Sequence, residues 1–380
     1  MDGVPPPVTP APRGLWERWL AWRDRQLASR RFQDLSLSLP GIGRIARKRS
    51  EQLWDLTAGF VYSQVLLACI ELDLFERLAG GPREADDIAR EIEVPVERAV
   101  QLLDAAVSLG LLEKRRGLYR LGQLGAACRG VPGLGEMIRH HALFYRDLAD
   151  PVALLRGEAE PALARYWGYV GGRRTHELGA EEALPYTRLM AATQAMVSAE
   201  VLGAYRFSRH RRLMDVGGGD GSFLRAVAAE TPELRLVLFD LPAVAEEGRA
   251  RFAEAGLADR AEAHGGDFFA DPLPKGCDAI SLVRVIYDHD DDAVRRLLAR
   301  VREALPPKGT LILAEPMADT PGMARVGDAY FNFYIMAMTH GRPRSAARLA
   351  ELLREAGFGR IRVRPTRRPF LTGLMTATPR

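Results

Sequence analysis

The chain has 380 residues, 47% hydrophobic and 27% charged, which predicts a globular protein of two domains with an extension. Residues 1–50 hold ten Lys/Arg and four acidic residues, a net charge of +6, whereas the whole chain has a net charge of +4. Residues 51–380 therefore carry about −2 and lack the bulk positive charge that nucleic-acid binding needs. No run of about 18 apolar residues and no apolar secretion signal occur, so we expect neither a membrane span nor export, and predict an intracellular, cytoplasmic protein.

Residues 1–49 are predicted to be a basic extension, and the proline-rich first 14 residues are expected to be disordered. Residues 15–31 have helical spacing and combine several arginines with Trp16, Trp19 and Trp22. This composition suits a helix that lies on a membrane surface, which would make the protein peripheral on the inner membrane. A helix packed on its own chain or on a dimer partner shows the same pattern, so both interpretations stay open.

Residues 50–130 show the order helix, turn, helix, wing, which predicts an all-helical winged-helix domain apart from the small hairpin of its wing. The uncharged stretch Thr57–Ile70 is predicted to be a buried helix. The elements of the motif are the helices Glu84–Glu91 and Val96–Leu109 and the strands Leu111–Glu113 and Leu118–Leu121.

The helix that would read DNA in this domain has an unsuitable surface. Its polar residues are Glu97, Arg98, Gln101 and Asp104, a mixture that is weak for phosphate contacts. A winged-helix transcription regulator is therefore disfavoured. A dimerisation module, and hence a homodimer with no nucleic-acid partner, is favoured.

Residues 131–205 are predicted to be a helical connector that lines an acceptor site, with loops around Pro151 and Gly168–Gly172. Apolar runs then alternate with helical stretches through residues 206–380. The predicted strands are Leu213–Val216, Leu234–Phe239, Ala279–Val283 and Leu311–Ala314, and the predicted helices are Ser222–Glu230, Ala243–Ala255, Asp291–Leu305 and Ser345–Ala356. This alternation predicts an α/β, Rossmann-like domain with a mainly parallel sheet and ligands at the carboxyl ends of its strands.

Three cysteines occur, and their wide separation gives neither a disulfide framework nor the spacing of a metal site. No metal is expected. We expect all three to be small buried residues: Cys69, Cys128 and Cys277.

The first predicted strand of the α/β domain runs directly into four glycines and a helix. Gly217, Gly219 and Gly221 are two residues apart, whereas the dinucleotide fingerprint needs its third glycine where Ser222 stands, so a nicotinamide-dependent oxidoreductase is disfavoured. Such glycines let the backbone turn tightly and approach a ligand closely. Asp215 precedes the turn and can orient it or accept a hydrogen bond from an ammonium group. S-adenosylmethionine (SAM), which has no pyrophosphate, tolerates an acid there.

Two further strand ends support a SAM site. Asp240, followed by Leu241, lies about twenty residues beyond the glycines, where an acid can bind both ribose hydroxyls. Asp267 and Phe268 follow two more glycines, so that Asp267 can accept from the adenine amino group and Phe268 can stack on the ring.

With these motifs the chain resembles the small-molecule O-methyltransferases, which pair a winged-helix dimerisation domain with a SAM-binding Rossmann-like domain. Within that family it is most similar to the carotenoid O-methyltransferases of purple bacteria, of the demethylspheroidene and hydroxyneurosporene type. The resembling segments are Ala58–Gln64, His140–Tyr145, Asp147–Pro151 and Arg284–Asp290. The resemblance and the motifs together predict these SAM contacts: Asp215, Gly217, Gly218, Gly219, Asp240, Leu241, Asp267, Phe268 and Arg284. The implied activity is methylation of the tertiary hydroxyl of an acyclic 1-hydroxycarotenoid. A bacteriochlorophyll or phenolic acceptor is the alternative.

The chain departs from the phenol-specific members of that family at the catalytic base. Their catalytic His is matched by Tyr287, and the Trp two residues later is matched by His289. Their first supporting Glu is matched by Glu315, but the second falls at Pro343 and is absent. A His–Glu base therefore cannot be transferred to this chain.

The remaining site predictions concern the acceptor. Tyr287 is predicted to hold the hydroxyl, and His289 either takes its proton or caps the helix that follows. His140 and His141 are predicted to line the pocket. The aromatic and Met-rich stretch from Tyr330 to Met338 suits a long apolar acceptor and suits a dimer core equally well.

Overall fold

The computed structural model describes residues 14–39, 42–166 and 193–380. Two sequence predictions lie outside these residues, the loop at Gly168–Gly172 and almost all of the proline-rich segment expected to be disordered.

The N-terminal half consists of helices around one two-stranded hairpin. Its helices are α1 (Leu15–Ala28), α2 (Arg30–Ser38), α3 (Ile42–Glu71), α4 (Leu74–Arg77), α5 (Ala85–Glu91), α6 (Val96–Ser108), α7 (Gln123–Arg129), α8 (Leu134–Asp147), α9 (Pro151–Arg156) and α10 (Ala162–Tyr166), and residues 193–204 form α11. Its strands, β1 (Leu112–Arg115) and β2 (Leu118–Leu121), pair antiparallel. The predicted wing is therefore present in an otherwise helical domain.

The C-terminal half contains a seven-stranded sheet. Its strands are β3 (Arg212–Val216), β4 (Arg235–Asp240), β5 (Ala261–Gly265), β6 (Ala279–Val283), β7 (Thr310–Glu315), β10 (Phe358–Arg364) and β11 (Gly373–Pro379), with β8 (Met317–Ala318) and β9 (Arg344–Ser345) forming a separate pair. Its helices are α12 (Ser222–Glu230), α13 (Pro242–Glu254), α14 (Asp291–Ala304), a π-helix (Arg325–Phe331), α15 (Asn332–Ala337) and α16 (Ala346–Glu355).

The strand order is β10-β11-β7-β6-β3-β4-β5, with β3 to β7 parallel and the last two strands antiparallel at one edge. The predicted parallel sheet is confirmed. The chain moves outward from β3 first to β4 and β5 and then, on the other side, to β6 and β7. The crevice beyond the carboxyl ends of β3 and β6 is therefore the switch point at which such sheets bind ligands.

Side chains that alternate along the strands fill two hydrophobic cores, one on each face of the sheet. On β3, Leu213 packs with the side of α11 to α13, and Met214 packs with the side of α14 and α16. All of β6 is buried, as a strand covered on both faces requires. The two cores hold the ends of β3 and β6 rigidly in place.

The prediction that Thr57–Ile70 is buried is wrong within the single chain. The stretch is helical, but only Cys69 in it is buried, and Phe60 is 66% exposed. The helix that contains it, α3, is the one helix among the described residues whose length and composition suffice for crossing a membrane, with 6% of that window buried. Length and composition alone do not decide whether α3 crosses a membrane, so the expected absence of a membrane span stays a prediction.

Three smaller predictions also need correction. The helix predicted at 15–31 is divided into α1 and α2 at Ser29. Pro151 begins α9 instead of lying in a loop, because proline suits the first helical turn and the Asp150 carboxylate accepts from two backbone N–H groups of that turn. Cys128 is half-buried, since α7 lies at the surface of its domain, whereas the other two cysteines are buried.

Candidate active site

The turn between β3 and α12 is built of glycines that no other residue could replace without strain. Gly217, Gly219 and Gly221 have φ angles of 69°, 62° and 75°, in the left-handed region that disfavours a Cβ. A Cβ on Gly218 would lie 2.5 Å from Oδ2 of Asp215. The turn therefore packs tightly against the protein itself and requires glycine at these positions.

Asp215 is buried beneath the turn with one oxygen unsatisfied. Its Oδ1 accepts from the Ser281 hydroxyl at 2.6 Å, whereas its Oδ2 has no hydrogen-bond partner in the described structure. Burial and, after it, the nearby charge of Asp240 raise the pKa of Asp215 to about 7. A buried carboxylate oxygen without a donor is unfavourable, so the site would be stabilised by a ligand that brings one.

Asp240 ties the end of β4 to the glycine turn. Its Oδ2 accepts from the Gly219 N–H and its Oδ1 from the Leu241 N–H, both at 2.7 Å. Burial raises the pKa of Asp240 to about 6. Each oxygen keeps a second lone pair, which is the capacity needed to accept from two ribose hydroxyls.

Phe268 closes the other side of this turn. Its ring lies 3.7 Å from the position of a Cβ on Gly217. The rings of Phe268 and Phe269 both pack edge-on against His289, with centroids 5.7 and 5.1 Å away. Asp267 accepts from the Phe269 N–H at 2.8 Å and so shapes the turn after β5. The structure thus brings Phe268, and with it His289, to the glycine turn.

Arg284 follows β6 in a strained backbone conformation, with φ of 60°. Its N–H donates to the Ala314 carbonyl and its Nη1 donates to the Thr193 hydroxyl, both at 2.8 Å. Burial and the charge of Glu315 raise the pKa of Asp288, and the positive charge of Arg284 opposes that rise. Arg284 therefore places a positive charge directly after the carboxyl end of β6.

Two side chains clamp the segment after β6. Oε1 of Glu315 accepts from the N–H groups of Val285 at 3.0 Å and Ile286 at 2.8 Å. From the other direction the Arg344 guanidinium donates to the carbonyls of Ile286 at 2.9 Å and His289 at 2.7 Å. The backbone on both sides of Tyr287 is thereby fixed.

Sequence analysis identified Glu315 but missed Arg344. Arg344 lies in β9 next to Pro343, and its side chain is only 2% exposed, although arginines around a proline usually indicate a surface loop. A buried arginine is tolerated there because Asp291 pairs with it at 2.8 Å. The signal that could have identified it is the position itself, since it directly follows the expected site of the second supporting Glu.

Tyr287 and His289 lie in different surroundings. Tyr287 is buried in a cluster that also contains Phe144, Tyr334 and Met338. His289 packs against the two phenylalanines after β5, and burial, followed by the charge of Arg344, lowers its pKa to about 4. The predicted cap of the following helix is supplied instead by Asp290, whose carboxylate accepts from the Ala293 N–H.

The predicted acceptor stretch joins α8 through hydrogen bonds. Nε2 of His140 lies 2.8 Å from the Tyr334 hydroxyl, and Nε2 of His141 lies 2.7 Å from the Tyr330 hydroxyl. Phe144 packs edge-on against both tyrosine rings. The structure therefore places both histidines, which sequence analysis treated only as pocket lining, in specific polar contacts within the Tyr287 cluster.

This arrangement fits SAM. The unsatisfied Oδ2 of Asp215 offers an acceptor for the SAM ammonium group, Gly218 leaves room for it, and Asp240 offers ribose acceptors. The aromatic cluster around Tyr287 begins where β6 ends, so an apolar acceptor there would adjoin the cofactor crevice.

Comparisons with known proteins identify the family of the chain. An O-methyltransferase domain model matches residues 145–359, and an O-methyltransferase dimerisation domain model matches residues 54–128. Demethylspheroidene O-methyltransferase of Cereibacter sphaeroides is 48% identical over 93% of each chain, and that of Rhodobacter capsulatus is 44% identical over 92% of this chain and 87% of that protein. The structure of human N-acetylserotonin methyltransferase in complex with SAM is 25% identical and matches 90% of this chain and 99% of that one with a TM-score of 0.68.

The dimerisation domain also explains the exposed face of α3. Residues 54–71 of this helix lie inside the matched domain, so a partner copy is expected to cover the apolar surface that the single chain leaves open. Together the fold, the glycine turn with Asp240 and the two family matches show that the chain belongs to the O-methyltransferase family and is a SAM-dependent, homodimeric enzyme.

Proposed function

We propose that the enzyme transfers a methyl group from SAM to the tertiary hydroxyl of an acyclic 1-hydroxycarotenoid in carotenoid biosynthesis. The observation that carries the proposal is the site of Tyr287, which replaces the base of phenol-specific relatives and lies among apolar and aromatic side chains. The similarity to two demethylspheroidene O-methyltransferases over more than nine tenths of this chain supports the same substrate class.

An alcohol acceptor makes different chemical demands from a phenol. A phenol has a pKa of about 10 and gains from a histidine that removes its proton. A tertiary alcohol is far less acidic and is crowded, so its proton leaves during or after methyl transfer and alignment dominates the barrier. The clamp formed by Glu315 and Arg344 provides such alignment for Tyr287.

The cofactor contacts follow the sequence prediction. We assign the SAM ammonium group to Asp215, the cofactor backbone to Gly217, Gly218 and Gly219, and the ribose to Asp240.

The adenine and the outer rim of the site are assigned to the later strand ends. Leu241 and Phe268 would flank the adenine, Asp267 would accept from its amino group, and Arg284 would line the crevice at β6. Bound SAM supplies a methyl group activated on a sulfonium.

On the acceptor side Tyr287 is assigned to orient the hydroxyl. Chain position predicted His289 either as a proton acceptor or as a helix cap, and its pKa of about 4 keeps the imidazole neutral at physiological pH. Its ring contacts, however, are with Phe268 and Phe269. A His289→Ala variant that loses SAM affinity more than kcat would place His289 on the cofactor side instead.

We further propose that the N-terminal helix holds the enzyme at the cytoplasmic surface of the membrane in which its substrate dissolves. Trp16, Trp19 and Trp22 are 68%, 46% and 52% exposed on α1. Exposed tryptophans among arginines favour the interface of an anionic bilayer.

A competition assay tests the substrate class. Equal amounts of a hydroxycarotenoid, a catechol-type phenol and a bacteriochlorophyll precursor are offered with labelled SAM, and the products are identified by mass spectrometry. Label is expected mainly in a methoxy carotenoid. Label mainly in either of the other acceptors would refute the carotenoid assignment and leave the methyltransferase assignment standing.

A further inference from the structure

Two adjacent histidine–tyrosine pairs connect α8 to the acceptor segment, and they are chemically alike but differently placed. Tyr330 and Tyr334 are four residues apart and their rings stack with centroids 6.0 Å apart. Each hydroxyl meets a histidine Nε2 of α8, at 2.7 Å for His141 and 2.8 Å for His140. Each histidine–tyrosine pair can therefore serve as the control for the other.

Both pairs are uncharged at neutral pH. Burial, and then the proximity of His141, lowers the pKa of His140 to about 4, and burial lowers that of His141. Burial raises the pKa of the Tyr334 and Tyr330 hydroxyls above the ordinary value. A neutral imidazole has one acceptor nitrogen, so a phenol can donate its O–H to Nε2 and still accept a hydrogen bond at its oxygen.

The two pairs differ in how deeply they lie in the cluster around Tyr287. Tyr334 is 6% exposed and belongs to the same buried cluster as Tyr287. Tyr330 is half-buried and packs against that cluster from its edge. A hydroxyl oriented by Tyr287 therefore has Tyr334 as its neighbour.

We propose that Tyr334 and His140 form a proton relay for the acceptor alcohol, in which the Tyr334 oxygen accepts from the substrate hydroxyl and His140 Nε2 receives the Tyr334 proton. This inference rests on the proposed alcohol acceptor. It assigns catalytic roles to two residues that sequence analysis treated as pocket lining.

The proton balance of the step is complete. The alcohol oxygen forms its bond to the methyl carbon as the carbon–sulfur bond breaks, and S-adenosylhomocysteine leaves with that electron pair. The oxygen, now with three bonds, releases its proton to the Tyr334 oxygen while the phenolic proton moves to His140. The products are the methyl ether and a His140 imidazolium, which returns its proton to water. A weakly basic imidazole suffices because a protonated ether is a strong acid.

The two pairs allow a matched experiment on the full-length enzyme. The variants are Tyr334→Phe and His140→Gln in the relay, and Tyr330→Phe and His141→Gln in the neighbouring pair. Phenylalanine keeps the ring, and glutamine keeps a hydrogen-bond acceptor that does not take up a proton near neutral pH. We expect each relay variant to lower kcat by about 10²-fold, the lower end for general acid–base catalysis, and by at least tenfold more than its matched variant. The double relay variant should fall no further than either single one.

A binding measurement without SAM separates the relay from a structural role. The absorbance of a hydroxycarotenoid and of its methoxy product is titrated with each variant. Wild-type enzyme should prefer the hydroxycarotenoid, Tyr334→Phe should lose the preference, and Tyr330→Phe should keep it, with S-adenosylhomocysteine affinity unchanged throughout.

The relay is refuted if both pairs prove equally sensitive in kcat or if Tyr334→Phe keeps the binding preference. If Tyr334→Phe fails to fold, His140→Gln against His141→Gln decides by the same kcat ratio. Wild-type enzyme that transfers no methyl group to the hydroxycarotenoid contradicts the proposed substrate instead, so the two failures are distinguishable.

Discussion

Replacing Arg344 by methionine removes the clamp behind Tyr287 while keeping most of the side-chain volume. The Arg344 guanidinium, 2% exposed, donates to Asp291 at 2.8 Å and to the carbonyls of Ile286 and His289 at 2.9 and 2.7 Å. The methionine variant leaves these acceptors, and the Arg342 carbonyl at 3.3 Å, without this donor. Removing one partner of a buried ion pair destabilises a protein by about 3–5 kcal/mol.

The chain offers a matched control in Arg342. It pairs with the same Asp291 carboxylate at 2.8 Å, but its side chain is 58% exposed. An exposed ion pair contributes about 0–1 kcal/mol. Since each kcal/mol shifts the unfolding midpoint of a domain of this size by about 2–4 °C, we expect a decrease of roughly 6–20 °C for Arg344→Met and at most roughly 4 °C for Arg342→Met.

Thermal unfolding and steady-state kinetics measure both consequences. Arg344→Met should lose kcat through misplacement of Tyr287 and keep its affinity for S-adenosylhomocysteine, because the glycine turn lies elsewhere. The Asp291 carboxylate also makes the contribution of this cluster depend on pH. Burial raises the pKa of Asp291, but hydrogen bonds from the surrounding arginines outweigh burial and hold that pKa well below its usual range. The stability from this carboxylate is therefore present above its unfolded pKa of about 3.9 and lost as the pH falls through the lower folded value. Equal midpoint shifts for the two variants at neutral pH would refute the reasoning.

Four further predictions concern the cofactor, the dimer and the membrane. Asp240→Ala should weaken S-adenosylhomocysteine binding by about 1–3 kcal/mol, roughly 5- to 160-fold by calorimetry. The control variant Asp259→Ala, at an exposed position, should bind as tightly as the wild type. Unchanged affinity in Asp240→Ala would contradict the ribose assignment. Wild-type affinity should decrease as the pH falls from about 7 to 6, because Asp215 and Asp240 then take up protons and lose acceptors. Light scattering at micromolar concentration should show a dimer, and Phe60→Glu on the exposed face of α3 should give monomers; a monomeric wild type would overturn the assembly. Deleting residues 1–31 should reduce sedimentation with anionic vesicles, and equal sedimentation before and after would defeat membrane docking.

Much of the α/β domain could be predicted because its signals are local. A strand buried on both faces must be apolar along its length, and a turn with positive φ must contain glycine, so β3, β6 and the turn at Gly217 are visible in the sequence. Asp240 follows from its distance along the chain to that turn, because a helix and a strand of ordinary length, α12 and β4, lead from the turn to it.

What could not be predicted depends on partners distant in the sequence. β10 alternates arginine with apolar residues, a pattern typical of a strand, but its antiparallel pairing at the sheet edge depends on β11, further along the chain. Arg344 is buried only because Asp291, 53 residues earlier, lies opposite it. The exposure of α3 has a similar origin, since an apolar helix face predicts burial but does not say whether its own chain or a second copy provides it.

The same dependence on distant contacts separates Tyr287 from His289. Two residues that are close in sequence were both expected at the acceptor, yet the fold packs one against Tyr334 and Met338 and the other against Phe268. Glu315 and Arg344 both fix this segment through hydrogen bonds to its backbone. Methyl transfer from a sulfonium requires such positioning, because alignment of the alcohol oxygen with the methyl carbon lowers the barrier. The alcohol proton has to leave only once the new oxygen–carbon bond is forming. A chain that methylates a tertiary alcohol can therefore do without the His–Glu base, provided that a neutral acceptor lies within hydrogen-bond reach of the oxygen that Tyr287 orients.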